Sequence, residues 1–261
     1  MAKPAGEKKG KWIDYFDLLD ALKKPGCPLC NRMDALSLRL LNNLFYERVI
    51  DVGTRVNLAK AKGFCNWHAW MSMEIPNSGS GIAIIYKDLL DAEIRKLSEW
   101  KEARGFSDKG KRPKFRKRDQ SIFLSSWVEK ASCPICESVK EHERFDMGTL
   151  LDFIDEEAFS QDFEKSSGIC IRHLLRIMEG FDKHPNLSLL VEKQVKKYQS
   201  LSGELAEFIR KLDYRFSKEP RGSEVDSWKR AIEQFSGQKE IFGNETVAEN
   251  ERGSSKVKKR D

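Results

Sequence analysis

The sequence predicts an all-α protein that contains two copies of one helical repeat. Apolar residues recur at steps of three and four along most of the chain, strand-like alternation is scarce, and one pattern of cysteines and histidines occurs twice. The chain has 261 residues, 39% of them apolar, which is enough to fill a sizeable core. We therefore expect a duplicated helical bundle in which a pseudo-twofold axis relates the copies.

The repeated pattern is a Cys-x-x-Cys motif followed by a Cys-x-x-His motif. The segments between the two motifs have 34 and 33 residues, and the copies use all six cysteines of the chain. This match indicates internal duplication with a period of about 105 residues. The residues are Cys27, Cys30, Cys65 and His68 in the first copy and Cys133, Cys136, Cys170 and His173 in the second.

Apolar periodicity predicts the helices of the first copy. A helix over residues 12–24 ends before Pro25 and Gly26, because this residue pair stops helices. Longer apolar stripes predict helices over 31–49 and 81–103, and a shorter helix begins at Cys65.

The second copy repeats this order of elements. We expect a lead-in helix over 122–128, a helix over 137–159 after the second Cys-x-x-Cys, and a short helix over 170–178. A last long helix spans 186–216. One more amphipathic helix follows and is expected to dock on the body, and its apolar residues are Val225, Trp228, Ile232 and Phe235.

The helix over 186–216 carries a seam with the 3.5-residue period of a coiled coil. The seam residues are Val191, Val195, Tyr198, Ser202, Leu205, Ile209, Leu212 and Phe216. We expect this seam to pack on the matching helix over 81–103 within the molecule. The alternative is a homodimer that forms through the helix over 186–216.

Composition and helix pattern together divide the chain into six segments. These are a disordered basic N-terminus (1–11), the first metal-binding repeat (12–103), a basic linker (104–120), the second metal-binding repeat (121–217), a C-terminal docking helix (218–237) and a disordered tail (238–261).

The basic charge is concentrated outside the two repeats. The chain has a net charge of +6, of which residues 101–118 carry +7 and residues 1–11 and 253–261 carry +3 each, so that −7 is left for the remaining residues. The basic run over 109–118 could neutralise phosphates of a nucleic acid. No stretch is long and apolar enough to span a membrane, and the N-terminus lacks a signal sequence, so we expect a cytoplasmic protein.

The cysteines and histidines predict two zinc sites of the Cys₃His type. Cys-x-x-Cys places two thiolates on one tight turn, and Cys-x-x-His places its ligands on one face of a helix's first turn, where the helix dipole favours a thiolate. One alternative is buried cysteines without a metal. Others are a redox-active dithiol, which would follow a strand, and an iron–sulfur cluster with one histidine ligand.

Spacing alone leaves two ways of pairing the motifs. Each copy can close its own site, or the two copies can exchange motifs across a pseudo-twofold axis. We predict the first arrangement. It places Cys27, Cys30, Cys65 and His68 in one site and Cys133, Cys136, Cys170 and His173 in the other.

The sequence contains no recognisable catalytic set. His142 and His184 lie outside the motifs of zinc proteases and di-iron bundles, and every thiol is assigned to a metal site. We therefore expect a non-catalytic, zinc-stabilised helical protein that binds a protein partner. The alternatives are a nucleic-acid-associated factor that uses the 109–118 run and an iron–sulfur or redox protein that uses the same cysteines and histidines.

A set of tracts around the motifs resembles a known family. These tracts are Leu44–Val49, Gly63–Trp70, Ala83–Leu90 and the two Cys-Pro-x-Cys motifs, within roughly residues 12–237. Their combination is similar to an uncharacterised archaeal and bacterial family, the domain of unknown function 6062. The resemblance implies a shared fold and metal-ligand pattern, and it implies no established activity.

Overall fold

The described part of the chain is entirely helical, as the sequence predicts. The computed structural model describes residues 13–103, 125, 127, 130–216 and 218–243, and these residues contain no β-strand. None of the described helices has the length and apolar character needed to cross a membrane. The α-helices are α1 (Ile13–Leu22), α2 (Pro28–Asn43), α3 (Val52–Ala61), α4 (Asn66–Met71), α5 (Gly79–Ala103), α6 (Pro134–Phe153), α7 (Glu157–Lys165), α8 (Ile171–Gly180), α9 (Leu187–Arg210) and α10 (Ser227–Ser236).

Two long predicted helices of the second copy differ in extent from the observed ones. The segment over 137–159, expected as one helix, is divided into α6 and α7, because Glu156 adopts an extended conformation (φ −73°, ψ 131°) and begins a new helix. Acidic residues around this new N-terminus interact favourably with the positive end of the helix dipole, and this interaction favours the start of a helix here. The helix over 186–216 is α9, which ends at Arg210 and is followed by a short 3-10 turn over Tyr214–Phe216.

The chain forms two compact units that do not follow the predicted repeats. One unit contains the residues up to Ala35 and those from Lys140 onward, and the other contains Leu36–Val139. One boundary therefore falls within α2 and the other within α6, whereas the sequence predicts a division at the basic linker over 104–120. That linker, the N-terminus over 1–11 and most of the lead-in helix lie outside the described residues.

The core of the first unit is built around an aromatic cluster. The Tyr15 ring packs edge-on against Phe153 at a centroid distance of 4.7 Å and lies 5.8 Å from the ring of Phe159. The Tyr15 hydroxyl donates a hydrogen bond of 3.0 Å to Glu156, so its polar end is satisfied. Fully buried residues of α6 and the turn after it surround this cluster. They are Leu150, Leu151 and Ile154.

A buried arginine connects α1, α2 and α6 in the first unit. The Arg32 guanidinium lies 3.2 Å from Asp146 and Asp14 and 2.5 Å from Asp17. Arg32 and Asp146 are both almost inaccessible to solvent. A buried ion of this kind requires partners, because an uncompensated charge in the interior is strongly unfavourable.

The second unit encloses a smaller apolar core. Buried residues of α2, α3, α4 and α5 meet there, and the aromatic ring of Trp67 stacks on the ring of His68 at 4.3 Å. At its surface, Lys62 and Lys96 both contact Glu93, and the Trp127 indole donates to the same carboxylate at 3.1 Å. The buried apolar residues of this core include Leu36, Leu41, Leu58, Met71 and Ile85.

Helix α10 packs on α8 and α9, but through its polar side. Ser227 and Gln234 are buried, and the Gln234 amide donates a 2.9 Å hydrogen bond to the Ser167 carbonyl. The apolar stripe that the sequence predicts as the docking face is exposed instead. Its residues are Val225, Trp228, Ile232 and Phe235.

The chain after α10 forms an ordered turn over residues 238–243, where the sequence predicts the beginning of a disordered tail. Ile241 and Phe242 in this turn are buried. The Phe242 ring lies between the guanidinium groups of Arg172, at 5.1 Å, and Arg176, at 4.9 Å. The difference arises because two adjacent apolar residues in a polar segment produce no periodic pattern for sequence analysis to detect.

Candidate metal centres

The first centre lies in the first unit and consists of Cys27, Cys30, Cys170 and His173. All four residues are buried, and their ligand atoms lie within 4.8 Å of one another. The Nδ1 atom of His173 is 3.5 Å from the sulfurs of Cys27 and Cys30 and 3.2 Å from that of Cys170. The sulfurs of Cys30 and Cys170 are 3.9 Å apart.

The second centre lies in the second unit and consists of Cys65, His68, Cys133 and Cys136. The Nδ1 atom of His68 is 3.1 Å from the Cys65 sulfur, 3.7 Å from that of Cys133 and 3.3 Å from that of Cys136. The sulfurs of Cys65 and Cys136 are 3.5 Å apart. Cys133 and His68 are buried, whereas Cys65 and Cys136 are partly accessible.

These distances fit a single tetrahedral metal ion at each centre. With Zn–S bonds of about 2.3 Å and Zn–N bonds of about 2.0 Å, neighbouring ligand atoms lie about 3.5 to 3.8 Å apart. The observed separations range from 3.1 to 3.9 Å. Both groups can therefore hold a metal ion with three thiolates and one imidazole.

The predicted pairing of the motifs within each copy is wrong. The structure gathers all eight predicted residues, but it combines the Cys-x-x-Cys of each copy with the Cys-x-x-His of the other. Helix length explains this exchange. The 16 residues of α2 and the five residues of the π-helix that follows it (Leu44–Arg48) span about 31 Å, and the ten residues of α3 span at most about 15 Å in return.

The second copy has the same imbalance of lengths. Helix α6 has 20 residues and spans about 30 Å, whereas the nine residues of α7 recover about 14 Å at most. In both copies the returning helix is therefore about 16 Å shorter than the helix that leads away from Cys-x-x-Cys. Exchange between the copies brings each motif to a partner that it can reach.

Each centre lies where two helices begin. At the start of each of these helices, a cysteine carbonyl accepts the first backbone hydrogen bond, at 2.9 to 3.1 Å. The cysteine is Cys27 for α2, Cys65 for α4, Cys133 for α6 and Cys170 for α8. The Cys65 sulfur also accepts from the backbone N–H of His68 at 3.4 Å. The positive ends of four helices thus face thiolates, and this arrangement favours the anionic form that binds metal.

One thiol at each centre carries negative charge readily. Hydrogen bonds with Cys136 and Cys65 lower the pKa of the Cys133 thiol, whereas the hydrogen bond with Cys133 helps to raise the pKa of Cys65 to about 11. Burial opposes charge on Cys27, but hydrogen bonds with Cys170 and Cys30 still lower its pKa well below the usual range. Each group therefore contains at least one thiolate ready to bind a cation.

The outward nitrogen of each histidine has a different partner at the two centres. The Nε2 atom of His173 lies 3.2 Å from a carboxylate oxygen of Glu143 and 3.3 Å from the Met33 sulfur. Glu143 is itself buried and pairs with Arg176 at 2.6 Å. The Nε2 atom of His68 lies 3.0 Å from the Ser37 hydroxyl. These contacts fix both rings with Nδ1 toward the sulfurs.

The turn before Cys170 depends on a glycine. Gly168 has a φ of +75°, and a Cβ there would lie 2.7 Å from the amide oxygen of Gln194. That oxygen accepts a 2.9 Å hydrogen bond from the backbone N–H of Ile169. The matching Gly63 before Cys65 also has a positive φ, +96°. The two Cys-x-x-His motifs are therefore introduced by turns of the same kind.

The other residues considered from the sequence lie apart from the centres. His184 contacts Asp152 at 3.5 Å, and neither His184 nor His142 belongs to a metal-binding group among the described residues. The basic run over 109–118 lies outside the described residues. Sequence reasoning missed Glu143, Met33 and Ser37, because single residues on helices form no motif.

The profile of a family of unknown function, DUF6062, matches residues 11–241. This match confirms the resemblance noted from the sequence, and it includes both centres and the first residues of the turn over 238–243. No curated protein and no solved structure matches the chain. The chain belongs to the family of unknown function DUF6062.

Proposed function

We propose that this protein is a non-catalytic interaction protein in which a structural zinc ion stabilises each of the two helical units. The observation that carries this proposal is the composition of the centres: each offers three sulfurs and one nitrogen at tetrahedral spacing. Four protein ligands close the coordination sphere of zinc and leave no position for a substrate. Structural sites of this kind contribute directly to folding stability.

The spacing of the sulfurs favours one ion over an iron–sulfur cluster at each centre. A cluster distributes its four protein ligands over two or more iron atoms, so some pairs of these ligand atoms lie farther apart than the ligands of a single ion. At each centre all four ligand atoms lie within 4.8 Å of one another, which supports single ions. Thiolate and imidazole ligands in tetrahedral geometry are typical of zinc.

Metal analysis of the full chain, purified without oxygen, tests this proposal. We expect about two zinc ions per chain and a colourless protein. Iron with visible charge-transfer absorbance would contradict the choice of zinc. A chain that binds no metal and keeps its thermal stability in the presence of a chelator would contradict the structural role.

Exposed apolar side chains support the interaction role. Seam residues of α9 and of the turn after it remain accessible, among them Val195, Ile209 and Leu212, which are 46%, 65% and 67% exposed. Two other residues of α9, Leu190 and Gln194, are buried in the first unit. Exposed apolar residues in such a regular row are typical of a surface that binds another protein.

A second copy of the chain fits the seam on α9. Its 3.5-residue period is the pattern by which two helices pair over several turns. Charged residues beside the seam already pair within the chain, as Lys196 does with Glu192 and Glu207 with Arg210, so the apolar seam residues are the ones available to a second copy.

Sedimentation velocity over a range of chain concentrations tests the homodimer. Dimerisation should appear as concentration rises, and Ile209→Asp should weaken it because it places a charge in an apolar seam. Gln199→Asp, on the exposed side of the same helix, is the control and should leave dimerisation unchanged. A monomer at every concentration would contradict the dimer.

We also propose that the two halves arose by duplication. In each half, Cys-x-x-Cys opens a long helix and Cys-x-x-His opens a shorter one after a glycine with positive φ. The exchange of motifs between halves is the arrangement expected if an ancestral single copy formed the same two centres as a dimer.

A further inference from the structure

Contacts around the two centres differ in three respects: access to the sulfurs, the partner of the histidine and the cover over the site. From these differences we infer that the first centre holds its metal permanently, whereas the second centre exchanges its metal and is the one that a hydroperoxide oxidises. This inference rests on the proposed function, because it requires a metal ion at both centres.

Access to the sulfurs is the first difference. Cys27, Cys30 and Cys170 are 3%, 0% and 0% exposed, so neither a chelator nor an oxidant reaches them without local opening. At the second centre, Cys65 and Cys136 are both partly accessible. A thiol that coordinates a metal ion is deprotonated at either centre, so exposure decides which centre a hydroperoxide reaches, and the second centre is the more exposed one.

The partner of the histidine is the second difference. Glu143 faces His173 with a carboxylate, and Arg176 and Met33 complete its surroundings. His68 has the neutral hydroxyl of Ser37 as the described partner of its Nε2 atom. A carboxylate strengthens a histidine ligand and fixes its ring, and losing such a partner typically lowers metal affinity by about 10- to 100-fold.

A cover over the site is the third difference. The ring of Phe242 lies 5.2 Å from the ring of His173 and is itself held between Arg172 and Arg176. Gly237 allows this approach, because a Cβ at its position would overlap the Phe242 ring. Gly237 and the turn over 238–243 therefore cover the first centre. Cys65 and Cys136 keep partial accessibility at the second centre.

The oxidation step can be written with its atoms and electrons. The Cys65 thiolate attacks the terminal OH oxygen of the hydroperoxide, the O–O bond breaks, and the other oxygen leaves as hydroxide or alkoxide while Cys65 becomes a sulfenic acid. The Cys136 thiolate, 3.5 Å away, then attacks the resulting sulfenic acid and releases a second hydroxide. Two sulfurs lose one electron each, the peroxide gains both, and the metal ion leaves because only Cys133 and His68 remain as ligands.

Zinc release from the full chain tests the inference. The chain loaded with zinc is treated with hydrogen peroxide, released zinc is followed with a coloured chelator, and disulfides are located by peptide mass spectrometry. We expect one zinc ion per chain to leave in a fast phase together with a Cys65–Cys136 disulfide. Equal release from both centres, or a first disulfide among Cys27, Cys30 and Cys170, would overturn the inference.

Two matched variants separate the contributions of the histidine partners. Glu143→Gln should speed chelator-driven zinc release from the first centre by about 10- to 100-fold, whereas Ser37→Ala should change release from the second centre much less. An unchanged first-centre rate in Glu143→Gln would contradict the role of the carboxylate. The zinc content of the loaded chain before treatment separates the two proposals. If the chain holds fewer than two zinc ions, the proposed function is contradicted. If it holds two ions and releases both at the same rate, only this inference is contradicted.

Discussion

The sulfurs of Cys30 and Cys170 lie 3.9 Å apart although 140 positions separate them in the chain. This contact joins the beginning of α2 to the beginning of α8 within the first unit. A metal ion at this position closes a long loop of chain and stabilises the fold by restricting the unfolded state. The stability of the first unit should therefore depend on the centre and on the residues packed around it.

Replacing the buried arginine of the first unit should be strongly destabilising. Arg32→Met leaves Asp146 buried without its cation, and breaking a buried pair in this way costs about 3 to 5 kcal/mol of unfolding free energy. Chemical denaturation of the zinc-loaded chain measures this loss. Lys23→Met is the control, because Lys23 and Asp20 form an exposed pair whose removal should leave stability unchanged.

The same cluster predicts a specific dependence of stability on pH. Burial raises the pKa of Asp146 to about 6, even though Arg32 opposes this shift. The folded carboxyl group therefore binds its proton more tightly than the unfolded one, whose pKa is 3.8. The stabilisation of the fold that comes from binding this proton is fully present below the pKa of the unfolded state and is lost as pH rises through about 6.

Asp146→Asn removes this titration and so isolates it. The difference in unfolding free energy, original chain minus variant, should be about 1 kcal/mol larger at about pH 5 than at about pH 7.5. Denaturation curves of both proteins, each loaded with zinc, provide the comparison. A difference that stays constant or shrinks on acidification would show that Asp146 does not titrate in this way.

Two glycine substitutions should have opposite effects. Gly237 has a φ of +77° with an extended ψ of 179°, a conformation open essentially only to glycine, and a Cβ there would overlap Phe242. Gly237→Ala should lower stability by about 1 to 3 kcal/mol and expose the first centre to chelators.

Gly203 provides the matched comparison within α9. A Cβ at this position meets nothing within 4 Å, so Gly203→Ala should raise stability by up to about 1 kcal/mol through helix propensity. Thermal unfolding of both variants measures the contrast. If Gly237→Ala lowers neither the thermal stability nor the protection of the first centre from chelators, the turn over 238–243 does not cover the centre.

Most of the helices, and the eight cysteines and histidines that gather in two groups, could be predicted from the sequence for a physical reason. Long amphipathic helices such as α5 and α9 bury a periodic stripe, so their existence is written in the spacing of apolar residues. Cysteine and histidine are identifiable as ligands by residue type alone. All eight predicted residues meet in two groups.

The pairing of the motifs could not be predicted from spacing. The same Cys-x-x-Cys and Cys-x-x-His motifs occur in both copies, so the motif pattern fits either pairing, and the choice depends on how the helices that carry the motifs are arranged in space. Glu143 was missed because a buried carboxylate on an amphipathic helix resembles a solvated one in sequence. The exposed stripe on α10 was mistaken for a docking face because periodicity shows that a face is apolar and does not show what covers it.

Zinc content of two double variants tests the exchanged pairing most directly. Cys27→Ser with Cys170→Ser damages one centre in the observed arrangement, so this chain should retain about one zinc ion. Cys27→Ser with Cys65→Ser damages both centres, so that chain should retain none. Pairing within each half would give the reverse: no zinc in the first double variant and one ion in the second.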